Sequence, residues 1–536
     1  MEKINLEQIS KCCRTQQFET TLAYLKASRE VFWSWGCSAL MKNDEQKWLR
    51  LTINGRHHKG YVYIFLNGSD LFDVYYTSSQ DNIKLEPCKD LYFDQLVEAI
   101  DNKVNALPIH CFEQARAQAK SFDYTAHSEN PKSLCGLPIA IKDYNDLGGA
   151  LTTYGSPIFL KNVAKKSDAT VRQLETNGAI GVAKSNVPEW AGGHTFNPVN
   201  GITRNPWDLR KSAGGSSGGS AAALASGSVW LATGNDLGGS LRTPAAFNGI
   251  VGLRPGPGRV PRGKRLPPMD TLWVEGPMAR NVDDLALMLD ASVGHQIDDP
   301  LSFDHSGPSF VESLQEKDIL KRVAFSTDLS IVSIEKEIAQ VCRGAASVFA
   351  SLGADVTDDI PDFSGVLEAF QTLRAVLFAT LMEPILKQHR QQIAPEIIGN
   401  IERGLNIRPE QIFIAERIRT ELYKKVIVFF QTHDFLICPA ASIAPFSVEE
   451  RYVKEIDGKL CETYIDWFSI TFALTMTACP TISIPCGFTA EGMPVGVQIM
   501  GKPRGEAALL RIAKRFEEAV GLSMQLPITP RERSLN

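Results

Sequence analysis

Residues 214–255, GGSSGGSAAALASGSVWLATGNDLGGSLRTPAAFNGIVGLRP, constrain this chain more than any other stretch. They set two serines, Ser216 and Ser240, in two glycine-rich loops joined by a small-residue, helix-forming segment. Glycines around the serines let backbone N–H groups converge on a small anion, because no side chain obstructs them. Gly238-Gly239-Ser240 reads as such an anion nest. Upstream, the apolar run Leu137-Pro138-Ile139-Ala140-Ile141 ends in Lys142. That run suits a buried strand, and it places the ammonium at a dry strand end.

Two serines and a lysine so placed supply a nucleophile, a proton relay and a base. A serine hydroxyl is a weak nucleophile at neutral pH and needs a base beside it. Lysine serves only when neutral, and burial disfavours its charged form. Other readings of the same residues fit less well. A Gly/Ser linker is disfavoured because an alanine-rich apolar stretch follows at once and the glycine pattern recurs before Leu241-Arg242-Thr243-Pro244. A phosphate loop lacks its G-K-[ST] ending. GGSSGG matches G-x-S-x-G centred on Ser216 or Ser217, but the preceding TRNPWDLRKSA is polar and proline-broken, so the strand of a nucleophile elbow is not expected. Ser333-Ile334-Glu335-Lys336 fits S-x-x-K in a charged helical pattern without companion motifs.

The 24-residue step from Ser216 to Ser240, with Lys142 upstream, resembles the Ser–cis-Ser–Lys triad of the amidase signature family. GLPIAIKDYNDLGGALTTYGS, KSNVPEW, NPWD and CPTISIPCGF…GMPVGVQIMG are similar to family segments as well, and the likeness covers roughly residues 95 to 530. The resemblance implies that Ser240 is the nucleophile, Ser216 the bridging serine after a cis peptide bond, and Lys142 the base. It implies an oxyanion hole from the backbone N–H groups of Leu237, Gly238, Gly239 and Ser240. Asp236, Arg242 and Ser217 are expected to support the two loops. Asn235 stands where threonine is usual and Leu237 where threonine or isoleucine is common; both departures bear on substrate preference. The fold implied is α/β, one large mixed twisted sheet flanked by helices.

Composition is that of a globular protein: 536 residues, 44% hydrophobic, 22% charged, formal net charge −5. No strong basic block points to nucleic acid, and the longest apolar stretches are broken before 18 residues, so no membrane span is expected. Residues MEKINLEQISKCCRTQQ lack a signal-peptide core. Eleven scattered cysteines without a C-x-x-C pair read as free thiols of a cytoplasmic protein. With no HExxH and no Cys/His spacing of a metal site, neither metal nor cofactor is expected. His194, in AGGHTF, reads as a loop or pocket-wall residue.

Residues 1–90 read as a small α+β domain of unknown role: a helix from Leu6 to about Met41, then the strand-like runs KWLRLTI, GYVYIFL and LFDVYYT. Residues 91–536 read as the catalytic domain, with strands and helices alternating, a surface loop at 296–318 and long helices over 365–432. The expected function is a serine amidohydrolase acting on small carboxylic amides through an acyl-enzyme, its acyl pocket built from 190–197 and parts of 365–470. A homo-oligomer interface or a cap over the pocket is the role open to the N-terminal part. Two other readings stay open: the glutaminase subunit of a tRNA-dependent amidotransferase, and a non-catalytic binding or assembly protein on the same fold. Thr243 departs from the glutamine that such subunits commonly carry at the matching position.

Overall fold

The computed structural model describes the strands between Cys37 and Leu91 and residues 101–522, apart from 129, 131, 264–265 and 317–319. Residues beyond 101 are organised by one sheet of eleven strands. In spatial order these are Asp355–Thr357, Arg322–Phe325, Phe435–Pro439, Pro494–Met500, Thr481–Phe488, Val251–Arg254, Val274–Ala279, Leu231–Asp236, Pro138–Lys142, Ile180–Ser185 and Ile109–His110. Pro138–Lys142 pairs in parallel with both of its neighbours, and Arg322–Phe325 does the same. Other neighbours run antiparallel, so the sheet is mixed as expected.

Alternation along the central strands sorts side chains by size. Ile139, Ile141 and Leu231 enter a large apolar cluster shared with the helices Ala169–Thr176, Val282–Ser292, Lys336–Ser351 and Glu506–Val520. Burying a Leu or Ile side chain there stabilises the fold by about 1.5–3 kcal/mol. Ala140 and Ala232 belong instead to a cluster built with the helices Gly218–Ala225 and Arg242–Asn248. Every residue of Gly218–Ala225 is buried. Small residues make this close approach feasible: a Cβ on Gly219 would lie 2.3 Å from the Asn186 nitrogen. The two glycine-rich loops are thereby held at the sheet by helices of minimal girth.

A third apolar cluster joins the helices Val366–His389, Pro395–Leu405, Pro409–Phe429 and Ser469–Thr475, and it takes in Leu237. Val366–Gln392 is long and apolar enough to cross a membrane by length and composition, yet 61% of its apolar window is buried inside the protein. It packs as a core helix, with Phe370 stacked on Phe472 at 4.3 Å.

The strands Cys37–Asn43, Trp48–Asn54, Lys59–Leu66, Phe72–Thr77 and Cys88–Leu91 form a separate antiparallel sheet in sequential order. The helix read from Leu6 lies outside the described residues except at its end, where Cys37–Asn43 is a strand instead. Its register explains the difference: Asn43 pairs with Trp48 and Leu40 with Leu51, so this run is one arm of an antiparallel strand pair. In the segment read as a loop, a one-turn helix, Phe310–Ser313, starts at a Ser309/Glu312 capping box.

Candidate active site

Lys142 is the last residue of its strand and is wholly buried. Its Nζ lies 2.8 Å from Ser216 Oγ, 2.7 Å from Ser217 Oγ and 2.5 Å from Asn235 Oδ1. All three partners are uncharged. Burial holds the amine's pKa well below that of a free lysine, while the carboxylates of Glu275 and Asp236 pull less strongly the other way. The Gly215–Ser216 peptide bond is cis.

Ser240 opens the second loop. Between residues 231 and 250 it alone is not buried, whereas Ser216 and Ser217 are buried. Ser217 N–H donates to the Ser240 carbonyl at 3.3 Å, which ties the two loops together. Gly239 has φ of +128°, and a Cβ there would lie 2.1 Å from Thr471 Oγ1, so only glycine fits.

The expected set of four oxyanion donors needs revision. Gly239 N–H donates to Asp236 Oδ1 at 2.8 Å and is already engaged. Among the described residues, the N–H groups of Leu237, Gly238 and Ser240 donate to no protein acceptor. Asp236 thus shapes the nest by filling one of its donors. Burial by itself pushes the Asp236 carboxyl up, but Arg242 and Arg254 outweigh it and hold the pKa at about 2. Arg242 grips this carboxylate through Nε and Nη2, both at 3.0 Å, and reaches Thr471 O at 2.7 Å and Gln498 Oε1 at 2.8 Å. Thr471 in turn donates to the Gly238 carbonyl at 2.7 Å.

Sequence reasoning did not single out Thr471, Arg254 or Glu275. Arg254 had a signal, a charge ending the buried strand VGLR. Thr471 had none, being one of three hydroxyl residues in the buried helix Ser469–Thr475. Asn235 was read as bearing on substrate preference, yet it sits directly on the Lys142 amine.

The strand not expected before GGSSGG is present: Asp208–Ser212 pairs with Arg204–Asn205. Its pairing is with that two-residue strand and not with the central sheet, which is how a polar, proline-containing sequence forms it. Lys336 of the S-x-x-K match is 92% exposed. His194 is buried beside Phe196 and Phe446, 3.2 Å from Ser212 Oγ, and burial lowers its pKa to about 4.

A cavity of about 540 Å³ reaches Asn235, whose Oδ1 bonds Lys142 Nζ, while Lys142, Ser216 and Ser240 are not among its lining residues. Trp190, Phe378 and Met382 wall it from segments expected to form the acyl pocket. Tyr144, Asn145, Trp273 and Glu275 line it as well, from outside the segments expected to form the acyl pocket. Among the described residues, no group of three or more His, Cys, Asp or Glu side chains is arranged to hold a metal ion.

Known proteins resemble this chain in sequence and fold. The amidase family profile matches residues 91–510. An acylamidase of Rhodococcus erythropolis is 32% identical over 429 residues, 79% of this chain and 90% of the relative. A glutamyl-tRNA(Gln) amidotransferase subunit of Picosynechococcus sp. is 32% identical over 461 residues, 80% of this chain and 94% of the relative. Among solved structures, a bacterial aryl acylamidase superposes with a TM-score of 0.74 at 26% identity, covering 83% of this chain and 96% of that one. A 6-aminohexanoate cyclic dimer hydrolase bound to its substrate gives 0.73 at 26% identity, covering 81% and 93%. With its large mixed sheet, its cis-serine loop and these relatives, the chain belongs to the amidase signature family and is an amide-hydrolysing enzyme.

Proposed function

We propose that the chain hydrolyses carboxylic amides to acid and ammonia or amine through an ester on Ser240, with Ser216 and Lys142 as the proton relay. The observation that carries this reading is a buried lysine bonded to neutral oxygens only. A neutral amine has two N–H donors and one lone pair. Asn235 Oδ1 only accepts, so it takes one N–H. Ser217 Oγ donates to the Asn235 carbonyl at 3.5 Å and therefore takes the second N–H. The lone pair is left for the Ser216 hydroxyl, and Ser216 Oγ is left to accept from Ser240.

In the forward step the Ser240 proton passes to Ser216 as the Ser216 proton passes to Lys142 Nζ. Ser240 Oγ bonds to the carbonyl carbon, and the N–H groups of Leu237, Gly238 and Ser240 stabilise the oxyanion. The C–N bond then breaks as the relay returns its proton to the leaving nitrogen. Water attacks the ester by the same route, the C–Oγ bond breaks, and acid leaves. An ester substrate passes through the same intermediate. Residues 1–90, outside the matched region, take no part in these steps and serve as a cap or an interface between copies.

A fluorophosphonate probe tests the assignment, together with acid and amine release from a panel of aliphatic, aryl and amino-acid amides. Labelling at Ser240 that disappears in Ser240→Ala supports it. Turnover surviving in Ser240→Ala and lost in Ser217→Ala overturns it. The reading as part of an amidotransferase rests on the equal 32% identity to such a subunit. It requires ammonia release from glutamine and co-purifying partners, so a lone, active chain that ignores glutamine excludes it.

A further inference from the structure

The cavity beside Asn235 carries polar atoms that no other described residue satisfies. Asn145 is 2% exposed and lines the cavity. Its Nδ2 donates to Glu275 Oε2 and to Asp168 Oδ2, both at 3.2 Å. Two carboxylates thus fix which end of the amide is nitrogen, and Asn145 Oδ1 is left as a buried acceptor without a partner. Glu275 is 3% exposed and receives only Asn145 Nδ2 and, at 3.2 Å, Trp273 Nε1. Burial, with Asp168 beside it, pushes its pKa up to about 7; when ionised, each of its oxygens keeps a free lone pair, and a cation bound there favours that form. Asn235, opposite Glu275 in the strand register, holds Lys142 Nζ with Oδ1 and leaves Nδ2 unpartnered.

The cavity wall offers acceptors at Asn145 Oδ1 and Glu275 and unpartnered donors at Asn235 Nδ2 and Trp190 Nε1. Buried oxygen acceptors with spare lone pairs, one of them a carboxylate, complement a group rich in N–H. Aromatic faces line the same space: Tyr144, Tyr154, Trp190 and Trp273. Such faces attract cations. Of the cations that line the cavity, Arg172 is held by Asp298 at 2.8 Å and Lys166 is solvent-exposed. Lys142, behind Asn235, is the group whose charged form burial disfavours.

The relay decides which part of a substrate lies here. Ser216 and Lys142 must return a proton to the departing nitrogen, so the leaving amine sits on the lysine side of the triad, and Asn235, which bonds that lysine, is the cavity wall on this side. Resting on the amidohydrolase reading above, we propose that this cavity binds the amine portion of the substrate and selects amines bearing a second, protonated nitrogen, with Glu275 and Asn145 Oδ1 as the acceptors.

The test joins acetic, hexanoic, benzoic and phenylacetic acids each to 1,4-diaminobutane through one nitrogen, to pentylamine, and to 4-aminobutanoate. For the acids that are turned over, kcat/KM is expected to be at least tenfold higher for the ammonium-ended amide than for its pentyl counterpart, and lowest for the carboxylate-ended one. In Glu275→Gln the ammonium-to-pentyl ratio should fall to within threefold of one. Equal rates, or preference for the pentyl or carboxylate end, overturn the proposal. So does a ratio that Glu275→Gln leaves unchanged. A second measurement needs neither the variant nor a known acyl group. Butylammonium should slow fluorophosphonate labelling of Ser240 in the wild-type protein at a concentration at least tenfold below that of butan-1-ol. Equal protection by the two overturns the proposal. Absence of any labelling sinks the amidohydrolase reading itself.

Discussion

Two lysines lie side by side on neighbouring parallel strands, and both are wholly buried: Lys142, which pairs in register with Ser185, and Lys184, which pairs with Ile141. Lys184 reaches Asp143 Oδ1 at 2.8 Å and Thr152 Oγ1 at 2.9 Å. Asp143 is further held by the Thr153 N–H at 3.0 Å and hydroxyl at 2.6 Å. Lys142 has no such counterion, only two hydroxyls and an amide oxygen. The carboxylate next to Lys142 in sequence is the one that neutralises Lys184. Burial alone therefore does not make a lysine a base. What separates the two is the partner: Lys184 Nζ rests on a carboxylate, whereas Lys142 Nζ meets neutral oxygens and burial lowers its pKa.

Removing the base should have the largest effect. Lys142→Ala is expected to lower kcat by about 10²–10⁴-fold, with folding retained because no buried carboxylate loses its partner. Lys142→Arg should not restore turnover, since a guanidinium does not deprotonate. Steady-state rates together with circular dichroism check this; near-native turnover in either variant would erase the distinction between the two lysines.

Lys184 should answer in stability. Lys184→Met leaves the Asp143 carboxylate buried and unpaired, at a cost of about 3–5 kcal/mol. Adding Asp143→Leu should recover much of that loss. Urea denaturation of the single and double variants reads the difference. A fully stable Lys184→Met would mean that this pair does not hold the strand ends.

The sharpest way to break the comparison is to convert one site into the other. Asn235→Asp places a carboxylate where Oδ1 now lies 2.5 Å from Nζ, so Lys142 acquires what Lys184 has. An opposite charge at that distance favours the protonated lysine, and activity at pH 7 should fall about 10- to 1000-fold. The sign is fixed by the chemistry. Only the neutral amine accepts the relay's proton, so activity rises with pH as the lysine is deprotonated, and raising its pKa moves that rise to higher pH. Rate profiles of wild type and variant from mildly acidic to alkaline pH should show the displacement, and superimposable profiles would refute the neutral-base assignment.

How far the sequence discloses this site follows from what each residue's role depends on. Lys142, Ser216 and Ser240 stood out in the sequence because the patterns that hold them are local: a lysine ending an apolar strand, and serines in glycine loops. The mixed sheet was legible for a similar reason, since buried strands such as PIAIK and GAIGVAKS read as apolar runs. Features set by side-chain meetings across the fold were not. That Gly239 N–H is filled by Asp236 depends on loop geometry, and that Thr471 fixes the loop depends on a contact 233 residues away. The cavity joins segments near residues 144, 190, 273 and 380, none of which announces the others. In Asp208–Ser212 the three middle residues are only half-buried, so no apolar alternation marked the strand.

The smallest effect expected concerns the departure at Asn235. Asn235→Thr restores the residue usual in the family and shortens the side chain. The Oδ1 bond to Nζ is lost, and with it the unpartnered Nδ2. A single neutral hydrogen bond contributes about 0.5–1.5 kcal/mol net, so kcat should drop by no more than about tenfold. Ser216 and Ser217 still hold the amine, so the alkaline rise should keep its place. The change therefore separates two roles for Asn235. If it only steadies the lysine, a modest loss of rate with an unmoved pH profile results. A loss beyond a hundredfold, measured on the same amide, would mean that Asn235 takes part in moving the proton, and the line between Lys142 and Lys184 would then run through their amide and carboxylate neighbours rather than through charge alone.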